Sequence, residues 1–255
     1  MGLDKVVPMK KYNYNYEPLN TPMAREDVEW SNTWYSKANS PVSVGSGGGK
    51  FLLIGDSTGR KVRSTFERMS KKPVDFFGTS AGIHDLLFCS QIESFFTPVT
   101  WKYEAIYVWL GYHSLRNEKG DLYGDTEFEQ FRNDVRYLVD YLKQYSSRVI
   151  LCSALYPVKK KEKTSKIDVI WFHLKPLSRL FKETILEDEA SVIKKKNQII
   201  KEVADEERLV FCDVNRYMLA LCEKYRTRCI HFDKIHYEGK SFPLMAQYFL
   251  RCIDV

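Results

Sequence analysis

The sequence predicts an α/β fold, a three-layer α/β/α sandwich built around a parallel five-stranded sheet. Short apolar segments recur along the chain without the polar alternation of a half-exposed strand, so they are expected to be buried on both faces. Helical segments separate them, as they do when a crossover connects each pair of parallel strands. A chain of 255 residues is long enough for one sizeable core of this kind.

The strands are predicted from apolar runs of four to six residues. They lie at Phe51–Ile54, Val74–Phe77, Ala105–Leu110, Arg148–Cys152 and Leu209–Cys212. Helices are predicted at about Arg60–Met69, Ile83–Phe95, Thr126–Tyr145 and Phe242–Cys252. The third helix is strongly amphipathic, because six apolar side chains share one of its faces: Phe128, Phe131, Val135, Leu138, Val139 and Leu142.

The segment from Lys159 to Glu207 is long for a single crossover. We predict two helices in it, at about Asp168–Ile185 and Ala190–Ala204. The first is a candidate for a lid or a partner surface, and a decorated crossover without such a role is an equal alternative.

The first 49 residues differ in character from the rest of the chain. Residues 1 to about 39 are polar and aromatic without clear periodicity, and Ser40–Gly49 reads SPVSVGSGGG, which is typical of a flexible connector. We therefore predict an N-terminal extension and connector over residues 1–49, and one catalytic domain over residues 50–255.

The composition is that of an ordinary globular protein with a mild positive charge. The formal net charge is +6, from 39 basic and 33 acidic residues. Lysine runs at 159–161 and 194–196 are expected to be solvated faces. No recognised nucleic-acid-binding module accompanies them, so a nucleic-acid partner is not expected.

The six cysteines form no C-x-x-C pair. Cys152 and Cys212 end apolar runs and are expected to be buried, reduced thiols. The sequence has no recognisable signal peptide and no apolar run of membrane-spanning length. A cytoplasmic location without a membrane span is therefore expected.

The strongest local motif is Phe51–Arg60, which reads FLLIGDSTGR. An apolar strand leads directly into Gly55-Asp56-Ser57, and a helix follows. Ligands of parallel sheets bind at the carboxyl ends of the strands, and the start of a helix favours a developing negative charge. Ser57 is therefore a candidate nucleophile. The alternative is that Asp56 and Ser57 merely cap the helix.

A second motif lies near the end of the sequence, where Asp233 precedes His236 by three residues and the predicted terminal helix follows. A serine hydroxyl is a weak nucleophile that needs a neighbouring base, and the base needs an orienting carboxylate. His236 and Asp233 are candidates for these two roles.

Together these motifs resemble the SGNH/GDSL hydrolase superfamily. Ile54-Gly-Asp-Ser57 is similar to its first sequence block and Asp233-Lys-Ile-His236 to its last, and the resemblance spans about residues 50–255. It implies a flavodoxin-like sandwich, a Ser57–His236–Asp233 triad, and no metal or organic cofactor.

The middle blocks of that superfamily supply oxyanion donors. Its glycine after the second strand corresponds here to Gly82, preferred because it is expected to open the next helix, or to Gly78. His113 stands where the superfamily usually has asparagine. This resembles a Gly-x-His variant of branches that act on glycans, and the ring N–H can donate to an oxyanion. The backbone N–H of Ser57 is the remaining predicted donor.

Other polar residues receive no catalytic role from the sequence. His84 has no partner at metal-ligand spacing. Asp213 and Asn215, after the fifth strand, are expected in a turn, and the alternative is that they line the site.

The expected function is a serine esterase that hydrolyses a short acyl ester of a carbohydrate. Its partner is then a small-molecule or glycan ester substrate. One alternative is an O-acyltransferase that acts on a cell-surface glycan or its precursor. Gly55-Asp-Ser-x-x-Arg60 also resembles branches that either transfer O-acetyl groups to polysaccharides or remove them. A second alternative is a non-catalytic binding protein that retains the fold.

Overall fold

Strands and helices alternate along the chain in a computed structural model that describes residues 50–79, 81–97, 99–110, 113, 115, 121–156, 175–224 and 241–253. The elements in chain order are β1 (Phe51–Gly55), α1 (Ser57–Ser70), β2 (Val74–Gly78), α2 (Leu86–Phe96), β3 (Ala105–Val108), α3 (Asp125–Leu142), β4 (Val149–Cys152), α4 (Lys175–Glu206), β5 (Val210–Cys212), α5 (Val214–Lys224) and α6 (Phe242–Ile253).

The five strands form one sheet in the order β2-β1-β3-β4-β5, and all four strand pairs are parallel. This confirms the predicted fold class. In the register, Gly55 lies opposite Gly78 and Ile54 lies opposite Val108, so the carboxyl ends of β2, β1 and β3 lie side by side. The chain changes direction across the sheet between β1 and β3, which is where open α/β sheets form a crevice.

Helices cover both faces of the sheet. Successive residues of a strand point to opposite faces and therefore belong to different core clusters. Leu52 and Ile54 belong to a core cluster that includes side chains of α2 and α3. Phe51 and Leu53 belong to a second cluster, with side chains of α1 and α6. Every residue of β1 to β4 is buried. Burial on both faces of the sheet therefore explains why these strands are apolar without polar alternation.

Helix α1 lies close against the sheet. A Cβ at Gly59 would be 3.2 Å from the Phe76 ring, so the missing side chain permits the close approach of its first turn. Further along, Arg63 Nε donates to the Val74 carbonyl at 2.7 Å and Val74 N donates to Glu67 Oε2 at 2.9 Å. These bonds fix α1 against the start of β2.

Helix α4 is one continuous helix of 32 residues, so the prediction of two helices is wrong over the described part. Residues 186–190 read LEDEA and contain neither glycine nor proline, so nothing in them ends the helix. The predicted first helix over residues 168–174 lies outside the described residues. In the described ranges, no helix combines the length and the apolar character that crossing a bilayer requires.

Charged side chains join α4 to α3. Arg132 pairs with Glu202 and also with Glu206, the latter at 3.2 Å. Arg136 pairs with Glu206 at 2.6 Å, and Lys143 pairs with Glu207 at 2.6 Å. Exposed pairs contribute little individually, and this set joins α3 to the carboxyl end of α4.

Cys212 on β5 forms a disulfide with Cys252 on α6, with 5.9 Å between their Cα atoms. That distance lies in the usual range for a disulfide. The prediction of a reduced thiol is therefore wrong for Cys212, because a partner 40 residues away cannot be recognised from a local apolar run. The same prediction is confirmed for Cys152, a free and fully buried cysteine whose thiol pKa is raised by burial.

Candidate active site

A pocket lies at the carboxyl edge of the sheet, at the point where the strand order reverses. Asp56 contributes to its wall from the turn after β1, and Ala81, Gly82, Ile83 and His84 contribute from the loop after β2. Leu110 and His113 follow β3, while Phe131 and Lys196 reach the pocket from α3 and α4. Five separate segments of the chain therefore converge at this edge.

The end of β1 is held from both sides. The Ile54 carbonyl accepts a hydrogen bond from Trp109 N at 2.8 Å, and the Gly55 carbonyl accepts one from Thr79 N at 3.1 Å. A Cβ at Gly55 would lie 3.4 Å from the Trp109 carbonyl oxygen, so little space remains at this turn. The backbone that leads into Ser57 is thus fixed by its neighbours.

Asp56 caps helix α1. Its Oδ1 accepts from Thr58 N at 2.8 Å, and its carbonyl accepts the first helical hydrogen bond from Arg60 N at 3.0 Å. Ser57 is consequently the first residue of α1, three residues before the predicted start of the helix. The capping role falls to Asp56 and leaves Ser57 at the positive end of the helix dipole. The Ser57 side chain lies outside the described part of the structure.

The two glycines proposed as oxyanion donors lie at different points of the connection between β2 and α2. Gly78 ends β2, and Gly82 is a buried wall residue of the pocket. Gly82 does not open the next helix, because Asp85 is the N-cap residue of α2. In this structure Gly82 N donates to Asp85 Oδ2 at 2.6 Å. That N–H would have to exchange this contact in order to bind an oxyanion.

His113 lies in the pocket wall beyond β3. Its carbonyl oxygen accepts a hydrogen bond from Lys196 Nζ at 3.0 Å. The structure thus brings His113, Gly82 and the turn before Ser57 to one pocket. The role of each as an oxyanion donor stays a prediction.

His84, for which no catalytic role is predicted from the sequence, also lines the pocket. Its Nδ1 lies 3.3 Å from the Tyr123 hydroxyl, and its Nε2 lies 3.4 Å from Asp85 Oδ1. This residue therefore connects the loop after β2 with the segment that precedes α3.

Lys196 is a second pocket residue for which no role is predicted from the sequence. Lys194 and Lys195 are exposed as expected, but Lys196 is 1% exposed, so the expectation of a solvated run is wrong for it. Its ammonium group lies 4.5 Å from the Tyr123 ring centroid and 4.8 Å from that of Phe131. Burial lowers its pKa to about 7. A signal was present in the sequence, because Lys196 follows Ile193 by three residues and precedes Ile200 by four, on the apolar face.

The polar residues after β5 hold the edge of the sheet together. Asp213 Oδ1 accepts from Ser153 Oγ at 2.9 Å, and the same hydroxyl accepts from Asn215 N at 2.9 Å. Asn215 Oδ1 in turn accepts from Tyr156 N at 3.0 Å. These bonds tie the start of α5, a helix that the sequence analysis did not predict, to the loop after β4. Neither Asp213 nor Asn215 is among the described residues of the pocket wall.

Asp233 and His236 lie outside the described residues, so their predicted place beside Ser57 stays a prediction. Helix α6, which begins shortly after them in the sequence, packs against α1. The Phe249 ring lies 5.6 Å from the Phe66 ring.

Three solved structures share this architecture across most of the chain. Axe2, an acetylxylan esterase from Geobacillus stearothermophilus, is 15% identical in sequence, with 82% of this chain and 95% of Axe2 covered and a TM-score of 0.54. The acetyl xylan esterase AlAXEase is 14% identical, with 79% of this chain and 98% of AlAXEase covered and a TM-score of 0.56. LAE5, an alpha/beta hydrolase enzyme from the metagenome of Lake Arreo in Spain, is 12% identical, with 81% of this chain and 95% of LAE5 covered and a TM-score of 0.55.

No protein-family model matches the sequence, and no curated protein matches it. At this level of identity the structural likeness shows the fold. It confirms the sandwich that the resemblance to the SGNH/GDSL superfamily implies.

Proposed function

We propose that this protein is a serine esterase that removes a short acyl group from an ester of a carbohydrate. The observation that carries the proposal is the position of Ser57. It is the first residue of α1, only Asp56 separates it from the buried strand β1, and it lies at the strand-order reversal of a sheet shared with known esterases. A nucleophile at this position can attack a ligand held at the carboxyl edge of the sheet.

The substrate class is proposed from the solved structures of similar fold. Axe2 is described as an acetylxylan esterase and as an acetyl-xylooligosaccharide esterase. The variants of Axe2 that are described as catalytic mutants replace a serine and an aspartate with alanine. By analogy, an acetylated xylooligosaccharide is the first substrate to test with this chain, and Ser57 and Asp233 are the first residues.

In the proposed mechanism His236 takes the Ser57 proton as the oxygen attacks the ester carbonyl. Asp233 orients the imidazole and stabilises its charged form. The backbone N–H of Ser57, a glycine N–H from the loop after β2 and the His113 ring are the proposed donors to the tetrahedral oxyanion. His236 then returns the proton to the leaving alcohol, and water attacks the acyl-enzyme to release the acid. The reaction balances without a metal or an organic cofactor.

Fluorophosphonate labelling and ester turnover test this proposal. The probe should label the parent, and Ser57→Ala should remove labelling and reduce turnover of acetylated xylooligosaccharide by more than about a thousandfold. Ser64→Ala is the matched control, because Ser64 is exposed on the same helix. Turnover by Ser57→Ala within about tenfold of the parent would exclude Ser57 as the nucleophile. Acyl transfer to an added sugar in preference to water would identify an O-acyltransferase instead.

A further inference from the structure

Lys196 lies where three segments of the chain meet around the pocket. Its backbone belongs to α4, which ion pairs hold against α3. Its side chain passes into the interior and ends between the ring of Phe131, on α3, and the ring of Tyr123, just before α3. Cation–π contacts of this kind gain strength when the cation is removed from water.

The same amino group is bonded to the loop after β3. Lys196 Nζ donates to the His113 carbonyl at 3.0 Å, while it lies 4.5 Å from the centre of the Tyr123 ring. His113 and Tyr123 lie near opposite ends of the segment that connects β3 to α3. Tyr123 also contacts His84 at 3.3 Å. One side chain therefore contacts His113 directly and His84 through Tyr123, and both histidines line the pocket.

The chemistry of lysine distinguishes this arrangement from ordinary packing. A methionine would fill the space between the two rings without the cost of removing an amino group from water. The amino group donates a hydrogen bond to the backbone carbonyl of His113, which a methionine side chain cannot do. An amine donates such a bond in both its charged and its neutral form.

We propose that Lys196 is a positioning residue that fixes the backbone at His113 and thereby orients the imidazole toward the pocket. The inference rests on the proposed esterase function and extends it to a residue on a different helix. Lys196 then acts through His113, so its effect on catalysis should depend on the presence of the imidazole.

A double-mutant cycle tests this dependence. Lys196→Met should lower kcat by about ten- to a hundredfold with KM changed less than about twofold. In a His113→Ala background the same change should cost less than about twofold further. Lys194→Met is the control, because it removes an exposed charge from the same helix. It should leave kcat unchanged in both backgrounds. Equal losses from Lys196→Met in both backgrounds, or no loss in the parent, would overturn the proposal.

A second measurement separates this inference from the esterase proposal. The imidazole NMR signals of His113 can be assigned among the five histidines by their loss in His113→Ala. Lys196→Met should shift these signals and Lys194→Met should not, whether or not the protein hydrolyses esters. If fluorophosphonate leaves Ser57 unlabelled while the His113 signals respond to Lys196→Met, the esterase proposal fails and the positioning of His113 stands. Unchanged His113 signals in Lys196→Met overturn the positioning.

Discussion

The amino group of Lys196 lies in surroundings that disfavour its charged form. It is 1% exposed, and desolvation by burial lowers its pKa from 10.5 to about 7. The contacts with Tyr123, Phe131 and the His113 carbonyl offset only part of the lost hydration. The unfolded chain therefore binds this proton more tightly than the folded chain does.

Between about pH 7 and pH 10 the unfolded state carries the larger share of this proton, so the Lys196 contribution to the free energy of unfolding should rise with pH. The slope is at most about 1.4 kcal/mol per pH unit. Urea denaturation of the parent and of Lys196→Met across this range should show a stability difference that shifts in favour of the parent as pH rises. Lys194→Met should run parallel to the parent. Parallel curves for all three proteins would contradict the lowered pKa.

His113 lines the pocket at a position where the family that the sequence resembles usually has asparagine. If its ring donates to the oxyanion, His113→Ala should lower turnover by about 10²–10³, because one preorganised donor is lost. His113→Asn should retain substantial turnover, since an asparagine amide can donate from that position. Turnover and melting temperature should be measured for both variants. Equal turnover by alanine, asparagine and parent at matched folding would remove His113 from the site.

At the scale of elements, strand β2 carries a buried carboxylate. Asp75 is 2% exposed. Its Oδ2 accepts a hydrogen bond at 2.9 Å from the hydroxyl of Tyr103, a residue that lies just before β3. Burial is the main cause that raises the Tyr103 pKa, and the neighbouring carboxylate adds to it. A hydrogen bond that a carboxylate accepts is stronger than one between two neutral groups.

Tyr103→Phe should lower the free energy of unfolding by about 1.5–3 kcal/mol, because the buried Asp75 loses a donor. Tyr107→Phe is the matched control. Tyr107 is equally buried, but its hydroxyl donates to the uncharged Phe249 carbonyl at 3.0 Å, so the expected loss is about 1 kcal/mol. Urea denaturation of both variants measures the difference. An equal or smaller loss for Tyr103→Phe would show that Asp75 is compensated by its other contacts.

At the scale of the whole molecule, the disulfide between Cys212 and Cys252 joins the edge strand β5 to the last described helix, α6. The loop that it closes contains both Asp233 and His236. Such a crosslink stabilises a fold mainly by restricting the unfolded chain. A disulfide is typical of an oxidising compartment, which differs from the reduced state that the cysteine pattern predicts.

Reduction of this disulfide should lower the free energy of unfolding by roughly 4 kcal/mol, the chain-entropy value for a loop of about this length. Thermal unfolding with and without reductant measures the change, and Cys252→Ser should melt like the reduced parent and be insensitive to reductant. Peptide mapping without reductant should recover a Cys212–Cys252 crosslinked peptide. Recovery of both as free thiols would contradict the pairing.

Much of the architecture could be predicted because it depends on neighbours along the chain. The apolar runs at Phe51–Ile54 and Val74–Phe77 became buried parallel strands, with boundaries correct to within a residue or two. The turn at Gly55-Asp56-Ser57 was predicted because a strand, a tight turn and a helix start follow one another directly. Helix α5 was missed, and α4 was divided in two, because periodicity alone identifies element boundaries poorly.

Burial patterns and turn residues act over a few positions, so the class of fold and the place of the candidate nucleophile could be predicted from the sequence. Tertiary structure alone decided the surroundings of individual side chains. It placed the Lys196 amino group between the rings of Tyr123 and Phe131 and paired Cys212 with a cysteine 40 residues away. The physical reason is that desolvation, hydrogen bonding and crosslinking depend on which distant segments pack together, and no local pattern records those contacts.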